Sequence, residues 1–395
     1  MLKFLIIVAI VCSSAATASP YPHWEKLIKE YKFDSSAQSF CLTDENTVGQ
    51  NQAKKIRPAS VTKLYVTYWA LKKLGPNFRF KTKLTLSKNR LHIEGSGDTF
   101  FTTESIFYLI SKINQIGINS LEKITLSKQL FFNWKQDRTK VSASLTKYLD
   151  TKNWSQTIKT DFENVRTQLE ELQLPQTIPS TLELAFSELS WDETPIANPI
   201  WHGSFESSPL KNHLKQMNIY SNNFMAQKLF DYLGGEEEFA YFMEEEFGTD
   251  QRIIHFYTGS GLGENYTTCN LTLGLLKALD QLIFQDGLNL EDIISVPGTD
   301  LGTLRNRFKG PPYNKALVAK TGTLRHTSAL AGYLFTPIGA TPFGIFNHSY
   351  NTTGARELQN KFVPTLFKKI GSPEPFNYER QTYIPLVDTL FNWIK

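Results

Sequence analysis

The sequence lacks the patterns that mark nucleic-acid-binding, zinc-dependent and repeat proteins. No run of five or more Lys or Arg occurs, and a net charge of +4 over 395 residues gives little reason to expect nucleic acid as a partner. The seven His form neither His-Glu-x-x-His nor His-x-His, so we expect no metal site and no cofactor. No internal repeat or low-complexity linker is present, and the chain is long enough for two or three compact domains.

Cysteine is scarce, which narrows the choice of nucleophiles and cross-links. Of the three Cys, Cys12 lies in the N-terminal apolar segment, and neither Cys41 nor Cys269 stands in a recognisable nucleophile context. In an oxidising compartment Cys41 and Cys269 could pair, yet nothing in the sequence shows that they meet. A disulfide and two separate buried thiols are therefore both left open.

The N-terminal segment has the layout of a secretory signal. Lys3 supplies a positive start, residues 4–11 form a short apolar core, and Ala16-x-Ala18 is a small-residue cleavage pattern. The apolar core is too short to span a bilayer. We therefore expect residues 1–18 to be removed, leaving a mature chain that begins near Ser19 and lies outside the cytoplasm.

Hydrophobic periodicity and turn residues predict a mixture of helices and strands. Strands are predicted at residues 39–42, 80–86, 90–94, 182–189, 315–320, 329–335 and 342–347. Helices are predicted near residues 58–75, 103–116, 141–174, 210–217, 222–233, 236–247 and 271–284. A last helix is predicted over residues 385–394, whose apolar side chains group on one side. Packing of this helix onto the domain is favoured over contact with a membrane.

Ser60 and Lys63 form the first candidate catalytic pair. On a helix this spacing places a hydroxyl and an amine on one face, and a lysine with a lowered pKa can take the serine proton. Ser-x-x-Lys occurs four times in the chain, so the spacing alone carries no weight. Ser60 differs because Pro58 marks a helix start, where free N–H groups can face an oxyanion, and an apolar helix follows. A structural helix start with a snorkelling lysine explains these residues equally well.

Ser221-Asn222-Asn223 offers a hydroxyl and an amide just before an apolar helix. In a catalytic role, Ser221 would relay a proton and Asn223 would hold a substrate amide. The ordinary alternative is that Ser221 caps the N-terminus of the helix. That alternative is favoured when the segment is considered alone.

Lys320-Thr321-Gly322-Thr323 occurs once and ends a predicted strand. Lys320 and Gly322 would share one face of this strand, while Thr321 and Thr323 share the other. Gly322 removes a side chain where another backbone comes close, so a substrate could add as a further strand. Lys320 would also place a second cation near Lys63, which lowers a lysine pKa. A plain turn at the end of a strand is the alternative.

Ser-x-x-Lys, Ser-x-Asn and Lys-Thr-Gly, in this order, form the signature of serine β-lactamases and penicillin-binding proteins. Over nearly all of its mature length, the chain resembles the penicillin-binding protein 4-like D-alanyl-D-alanine carboxypeptidases and endopeptidases. The resemblance includes five further segments, at residues 95–98, 208–210, 259–262, 302–304 and 330–333.

The resemblance implies an α/β fold in which a transpeptidase-like (serine β-lactamase-like) domain is split by a smaller α+β insert. We expect the split domain at residues 19–77 and 206–395. The insert is expected at residues 78–205 and is shorter than in the larger members of the family.

The resemblance also implies a serine D,D-peptidase of peptidoglycan in the periplasm, with β-lactams as covalent inhibitors. It would cut cross-links between stem peptides as an endopeptidase, with carboxypeptidase activity alongside. The implied catalytic residues are Ser60, Lys63 and Ser221. The implied substrate-binding residues are Asn223, Lys320, Thr321, Gly322 and Thr323.

Three departures from the family pattern concern substrate recognition. Family members often have Asp where Thr258 stands, many carry an arginine where Glu264 reverses the charge, and Asn222 replaces a commoner Asp. A serine β-lactamase and an inactive peptidoglycan-binding scaffold are the alternatives. The full-length resemblance argues against the first, and the intact Ser60 and Lys63 argue against the second.

Overall fold

The computed structural model describes residues 20–43, 47–382 and 384–395, so the predicted signal segment 1–18 lies outside the described residues. The helices are α1 (Tyr21–Glu30), α2 (Thr62–Leu74), α3 (Thr103–Gln115), α4 (Arg138–Leu149), α5 (Gln156–Glu171), α6 (Leu210–Tyr220), α7 (Asn223–Tyr232), α8 (Gly235–Phe247), α9 (Cys269–Gln285), α10 (Leu290–Ile293) and α11 (Thr352–Ile370). The strands are β1 (Gln38–Thr43), β2 (Thr47–Gln50), β3 (Lys81–Leu86), β4 (Arg90–Ser96), β5 (Ser120–Gln129), β6 (Ala185–Trp191), β7 (Trp201–Glu206), β8 (Leu317–Leu324), β9 (Thr327–Thr336), β10 (Gly339–His348) and β11 (Leu390–Ile394).

The first sheet has the strand order β2-β1-β10-β9-β8, and its paired strands are antiparallel. Two strands come from the N-terminal part of the chain and three from the C-terminal part, so the sheet joins distant segments. Among the described residues β8 pairs only with β9. On its other edge the N–H of Ala319 donates to the carbonyl oxygen of Ser295, and beyond Ala319 that edge is open to a further strand.

Helices cover both faces of the first sheet. On one face α2 and α9 pack in a core that also takes in side chains of α6, α7 and α8. On the opposite face α1 and α11 pack against the sheet. Every residue of α2 from Thr62 to Leu71 is buried. A helix that is buried on every side has no solvent-facing polar side and needs a mostly apolar sequence. Its first turn therefore lies in the interior of the protein.

The second sheet has the order β11-β7-β3-β4-β5-β6, with β4, β5 and β6 parallel to one another. The hairpin predicted from residues 80–94 is confirmed as β3 and β4. Helices α3, α4 and α5 pack with this sheet around a separate core. Every strand of the sheet except β11 lies between residues 81 and 206. The mixed α/β architecture with two sheets agrees with the predicted fold class.

The helix predicted over residues 385–394 is wrong. Residues Leu390–Ile394 form β11, which pairs antiparallel with β7. Phe391 and Trp393 pack against the core of the second sheet, while Leu390 and Ile394 are exposed. Apolar residues at positions 390, 393 and 394 fit a helix by periodicity, but the edge of β7 offers backbone partners that a short isolated helix lacks.

No helix within the described ranges is long and apolar enough to cross a membrane. The C-terminal residues, for which a membrane contact was considered, are instead held in the second sheet.

Cys41 and Cys269 form a disulfide, which decides a question that the sequence left open. Cys41 lies on the inner strand β1, and Cys269 is the first residue of α9. The bond joins positions that are 228 residues apart. In the chain-entropy account, a cross-link that closes a loop of about 100 residues already contributes about 4.7 kcal/mol. The bond therefore restrains a large part of the unfolded chain.

Replacing both cysteines, as Cys41→Ala/Cys269→Ala, should lower the free energy of unfolding by about 2–5 kcal/mol, because the unfolded chain regains the freedom that the bond removes. Urea unfolding of the native protein and of the variant measures this difference. Dithiothreitol should destabilise the native protein and leave the variant unchanged. Alkylation of Cys41 and Cys269 in native protein that is unfolded without reductant would show that the bond does not form.

Candidate active site

Ser60 lies in a short 3₁₀ turn that leads directly into α2. Two glycines approach the backbone of this turn. A Cβ atom on Gly261, which has a φ of +81°, would stand 2.0 Å from the carbonyl oxygen of Ala59. A Cβ atom on Gly322 would stand 2.5 Å from the carbonyl oxygen of Pro58. The backbone that carries the candidate nucleophile is therefore packed against two segments that tolerate only glycine at these points.

Lys63 is fully buried, and its amine has three neutral neighbours. Its Nζ lies 3.1 Å from Oγ of Ser60, 2.9 Å from Oδ1 of Asn223 and 2.7 Å from the carbonyl oxygen of Ser260. Burial lowers the pKa of Lys63 to about 7. A neutral amine has two N–H bonds and one lone pair. When it donates to Asn223 and Ser260, its lone pair faces the Ser60 hydroxyl.

Ser221 does not cap the N-terminus of a helix, so the ordinary interpretation of this residue is wrong. It ends α6 in the left-handed conformation, with a φ of 56°. Asn222 caps α7 instead, because its side chain accepts a hydrogen bond from the N–H of Met225. The Ser221 hydroxyl accordingly remains available, and Nζ of Lys320 lies 3.0 Å from its Oγ.

Lys320 forms a second buried lysine–serine pair beside the first. Its Nζ donates to Oγ of Ser221 and to the carbonyl oxygen of Thr321, at 2.9 Å from the latter. Burial first, and then the charge of Lys63, hold the pKa of Lys320 well below its usual value. In the described part of the chain no carboxylate contacts either amine. Both lysines therefore lie in a setting that favours the neutral amine.

The strand β8 presents its two faces as the sequence predicts. Lys320 and Gly322 face the segment that carries Ser60, while Oγ1 of Thr321 donates to Oγ1 of Thr303 at 2.9 Å. Thr323 is exposed and lies one residue before the end of β8, the strand whose outer edge is open beyond Ala319. The geometry leaves room for an extended chain beside β8, next to Ser60.

The structure brings residues from all three motifs into one site: Ser60, Lys63, Ser221, Asn223, Lys320, Thr321, Gly322 and Thr323. Sequence reasoning assigned no role to the carbonyl of Ser260 or to the hydroxyl of Thr303. Both lie in segments, 259–262 and 302–304, that resemble the family. A backbone carbonyl leaves no trace in residue type, so only that resemblance could have marked Ser260.

The charge reversal at Glu264 is compensated by a residue from another segment. The Glu264 carboxylate lies 2.5 Å from a guanidinium nitrogen of Arg57, and the two side chains are 78% and 43% exposed. Such an exposed pair contributes little to stability. The pair instead fixes the position of the Arg57 guanidinium, which lies in the loop three residues before Ser60.

Gly261→Ala should lower the free energy of unfolding by about 2–4 kcal/mol, because the new Cβ meets backbone at a left-handed position. Gly274→Ala is the matched control, since a Cβ in that helical position of α9 meets nothing within 4 Å. The control should gain about 1 kcal/mol from helix propensity. Urea unfolding measures both variants. A Gly261→Ala protein as stable as the control would contradict the close approach to Ala59.

Comparison with known families gives one match that covers most of the chain. The model described as the D-Ala-D-Ala carboxypeptidase 3 (S13) family matches residues 40–168 and 191–367. A curated D-alanyl-D-alanine carboxypeptidase from Actinomadura sp. (strain R39) is 34% identical over 74 residues. These residues are 19% of this chain and only 14% of that enzyme, far below two thirds of its length.

Comparison with solved structures gives matches along most of the chain. Bd3459, a predatory peptidoglycan endopeptidase from Bdellovibrio bacteriovorus, is 26% identical, with a TM-score of 0.80 over 88% of this chain and 96% of that one. Bd3459 has also been solved acylated by penicillin G and in complex with immunity protein Bd3460. Penicillin-binding protein 4 from Haemophilus influenzae shares the fold, with 17% identity and a TM-score of 0.60 over 87% of this chain and 99% of that one.

Proposed function

The chain belongs to the D-Ala-D-Ala carboxypeptidase 3 (S13) family, and on this premise we propose that it is a serine D,D-peptidase of peptidoglycan. Ser60 is the proposed nucleophile and forms an acyl-enzyme with the carbonyl that follows a D-alanine. One observation carries the proposal. The buried amine of Lys63 lies 3.1 Å from Oγ of Ser60 and has only neutral groups around it.

In the first step Lys63 acts as the general base. Its lone pair takes the proton of the Ser60 hydroxyl while Oγ bonds to the substrate carbonyl carbon. The carbonyl oxygen then carries a negative charge. Backbone N–H groups of Ser60 and Thr323 are the proposed oxyanion donors, since Ser60 lies at a helix start and Thr323 on the adjoining strand.

In the second step the C–N bond breaks and the amine leaves with a proton. The proton comes from Lys63, and Ser221, whose Oγ contacts Nζ of Lys320, is the proposed group that passes it to the amine. Lys320 supports the transfer by orienting the Ser221 hydroxyl through the hydrogen bond from its Nζ. Asn223 orients Lys63 through Oδ1 and is proposed to hold the substrate amide through its NH₂ group. Water then attacks the ester carbonyl and gives a proton to Lys63, which returns it to Oγ of Ser60 as the C–O bond breaks and the acyl group leaves as a free carboxylic acid.

The substrate is proposed to bind as an extended strand along the open edge of β8. In this arrangement Thr321 and Thr323 align the peptide, and Gly322 permits the close approach to Ser60. The end of β8 that carries Lys320 lies next to Ser221, so the leaving amine is placed at that end. The acyl part of the substrate then points toward Thr323 and Leu324.

Cleavage of cross-links between stem peptides is the favoured activity, with release of terminal D-alanine alongside. Two points support this choice. The insert between α2 and α6 is proposed to leave the edge of β8 accessible to polymer, and the chain is similar along 88% of its length to a peptidoglycan endopeptidase. β-Lactams are the proposed covalent inhibitors, as a related endopeptidase is acylated by penicillin G.

The periplasm is the proposed location. The Cys41–Cys269 disulfide requires an oxidising compartment, and the proposed substrate lies outside the inner membrane. The predicted signal at residues 1–18 would direct the chain there.

A fluorescent penicillin should form a covalent adduct on Ser60, and Ser60→Ala should abolish it. Peptide mass spectrometry locates the adduct. With purified sacculi as substrate, the native protein should convert cross-linked muropeptide dimers to monomers. Folded native protein without any adduct would overturn the serine mechanism, and release of D-alanine alone, with the dimers left uncleaved, would overturn the endopeptidase assignment. Rapid turnover of a chromogenic cephalosporin would instead indicate a β-lactamase.

The rate constant of penicillin acylation should fall about tenfold per pH unit below about 7, because protonated Lys63 has no lone pair for the Ser60 proton. Stopped-flow measurements from about pH 5 to about pH 9 test this. Lys63→Arg keeps a protonated side chain throughout the range and should react about 10²–10⁴ times more slowly near neutral pH. A rate that is independent of pH in the native protein would contradict a neutral-amine base.

A further inference from the structure

A cavity of about 790 Å³ lies beside the catalytic groups, on the side of Ser221. Tyr220 and Asn222, the chain neighbours of Ser221, line it from the part of the molecule that contains the first sheet. The facing residues come from segments 102–104 and 133–135 and from α5. This volume lies within the range of ordinary ligand sites. None of the proposed catalytic steps uses this space.

Trp134 lines this cavity in an unfavourable backbone conformation. It is the second central residue of a tight turn in which Phe132 and Lys135 exchange both backbone hydrogen bonds. Asn133 and Trp134 have φ values of 46° and 57°, whereas such a turn favours Asn-Gly. Trp134 is 49% exposed, and among the described residues no ring or hydrogen-bond partner offsets its strain. A bulky residue at such a strained position is a candidate for a role other than stabilising the fold.

Side-chain amides of Asn164, Gln168 and Gln216 line the same cavity. Gln216 is only 8% exposed, yet within the described chain its amide neither donates to nor accepts from a protein group. The amide atoms themselves are not fully enclosed, so water or a ligand in the cavity can satisfy them. Its donor and its acceptor are both available to a molecule in the cavity.

The charges around the cavity favour an uncharged ligand. Its charged side chains are Glu104, Asp161 and Lys135, so carboxylates exceed ammonium groups. A stem peptide carries free carboxylates of its own and would be repelled. A sugar is neutral, its hydroxyls and N-acetyl groups hydrogen-bond to amides and carboxylates, and its C–H faces pack on aromatic rings. Trp134 and Tyr220, each about half exposed, provide such rings.

We propose that this cavity binds a segment of the glycan strand to which the stem peptides are attached, an inference that rests on the proposed peptidase activity. Trp134 and Tyr220 supply the packing faces, and Gln216 supplies the buried hydrogen-bonding group. Because Ser221 lies at the leaving amine, the bound strand is the one that carries the leaving stem peptide.

The first test is the binding of an N-acetylglucosamine tetrasaccharide, which contains no peptide, measured by isothermal titration calorimetry. Trp134→Gly should weaken binding at least tenfold and at the same time raise Tm, because glycine adopts a φ of 57° without strain. Phe284→Ala removes a ring that is 78% exposed on α9 and should change neither quantity. Absence of binding to the native protein, or unchanged binding to Trp134→Gly, overturns the proposal.

The second test separates this inference from the peptidase activity. Two forms of one cross-linked dimer are compared, one with its disaccharides and one freed of them by an amidase. The native protein should cleave the sugar-bearing dimer about tenfold faster, and Trp134→Gly should reduce this ratio to about one.

Equal cleavage of both dimers by the native protein overturns the glycan site and leaves the peptidase assignment intact. Cleavage of neither dimer overturns the peptidase assignment, while tetrasaccharide binding still decides the glycan site. If Trp134→Gly slows both dimers equally, the cavity binds peptide and the glycan proposal is wrong.

Discussion

The burial of an amine away from any carboxylate is the constraint on which the catalytic half of the molecule depends. A comparison within the chain makes this clear. Lys215 is as deeply buried as Lys63, but its Nζ lies 2.8 Å from a carboxylate oxygen of Asp300. The carboxylate opposes the fall in the Lys215 pKa that burial causes. Lys63 has only a hydroxyl, an amide and a carbonyl as neighbours, so burial acts on its pKa unopposed.

Placing such an amine at the start of a helix has consequences for distant segments. The helix α2 is apolar on all sides because its first turn lies inside the protein. The Ser60 turn requires glycine at positions 261 and 322, where other segments press against its backbone. The chain also breaks between α6 and α7 at Ser221, and this break turns one hydroxyl toward Lys320 and the neighbouring Asn223 toward Lys63. Four segments are therefore shaped by one buried group.

The sequence predicts the parts of this arrangement that depend on residue type and local pattern. The three motifs identify the residues around Ser60, and periodicity predicts four of the five strands of the first sheet, all except β2. It does not predict which of several polar groups satisfies Lys63, because the carbonyl of Ser260 belongs to the backbone. No element was assigned to residues 352–370, where Pro364 interrupts the pattern of α11. Residues 390–394 form a strand rather than the predicted helix because they pair with the edge of β7. This contact joins distant segments of the chain, and local periodicity carries no information about it.

The part of the molecule that contains the first sheet meets the part that contains the second sheet at a buried junction. This junction explains how residues packed with the second sheet can line a cavity beside a site on the first. Asp98 and His213 meet there, with the nearest oxygen and nitrogen 4.0 Å apart and both side chains buried. Burial raises the pKa of Asp98 to about 7 and lowers that of His213 to about 3, so this contact has little ionic character in mildly acidic solution. The rings of Phe80 and Phe100 pack against His213. This junction between the two sheets depends on packing rather than on an exposed ion pair. The distance between Trp134 and Ser221 should therefore change little with salt concentration.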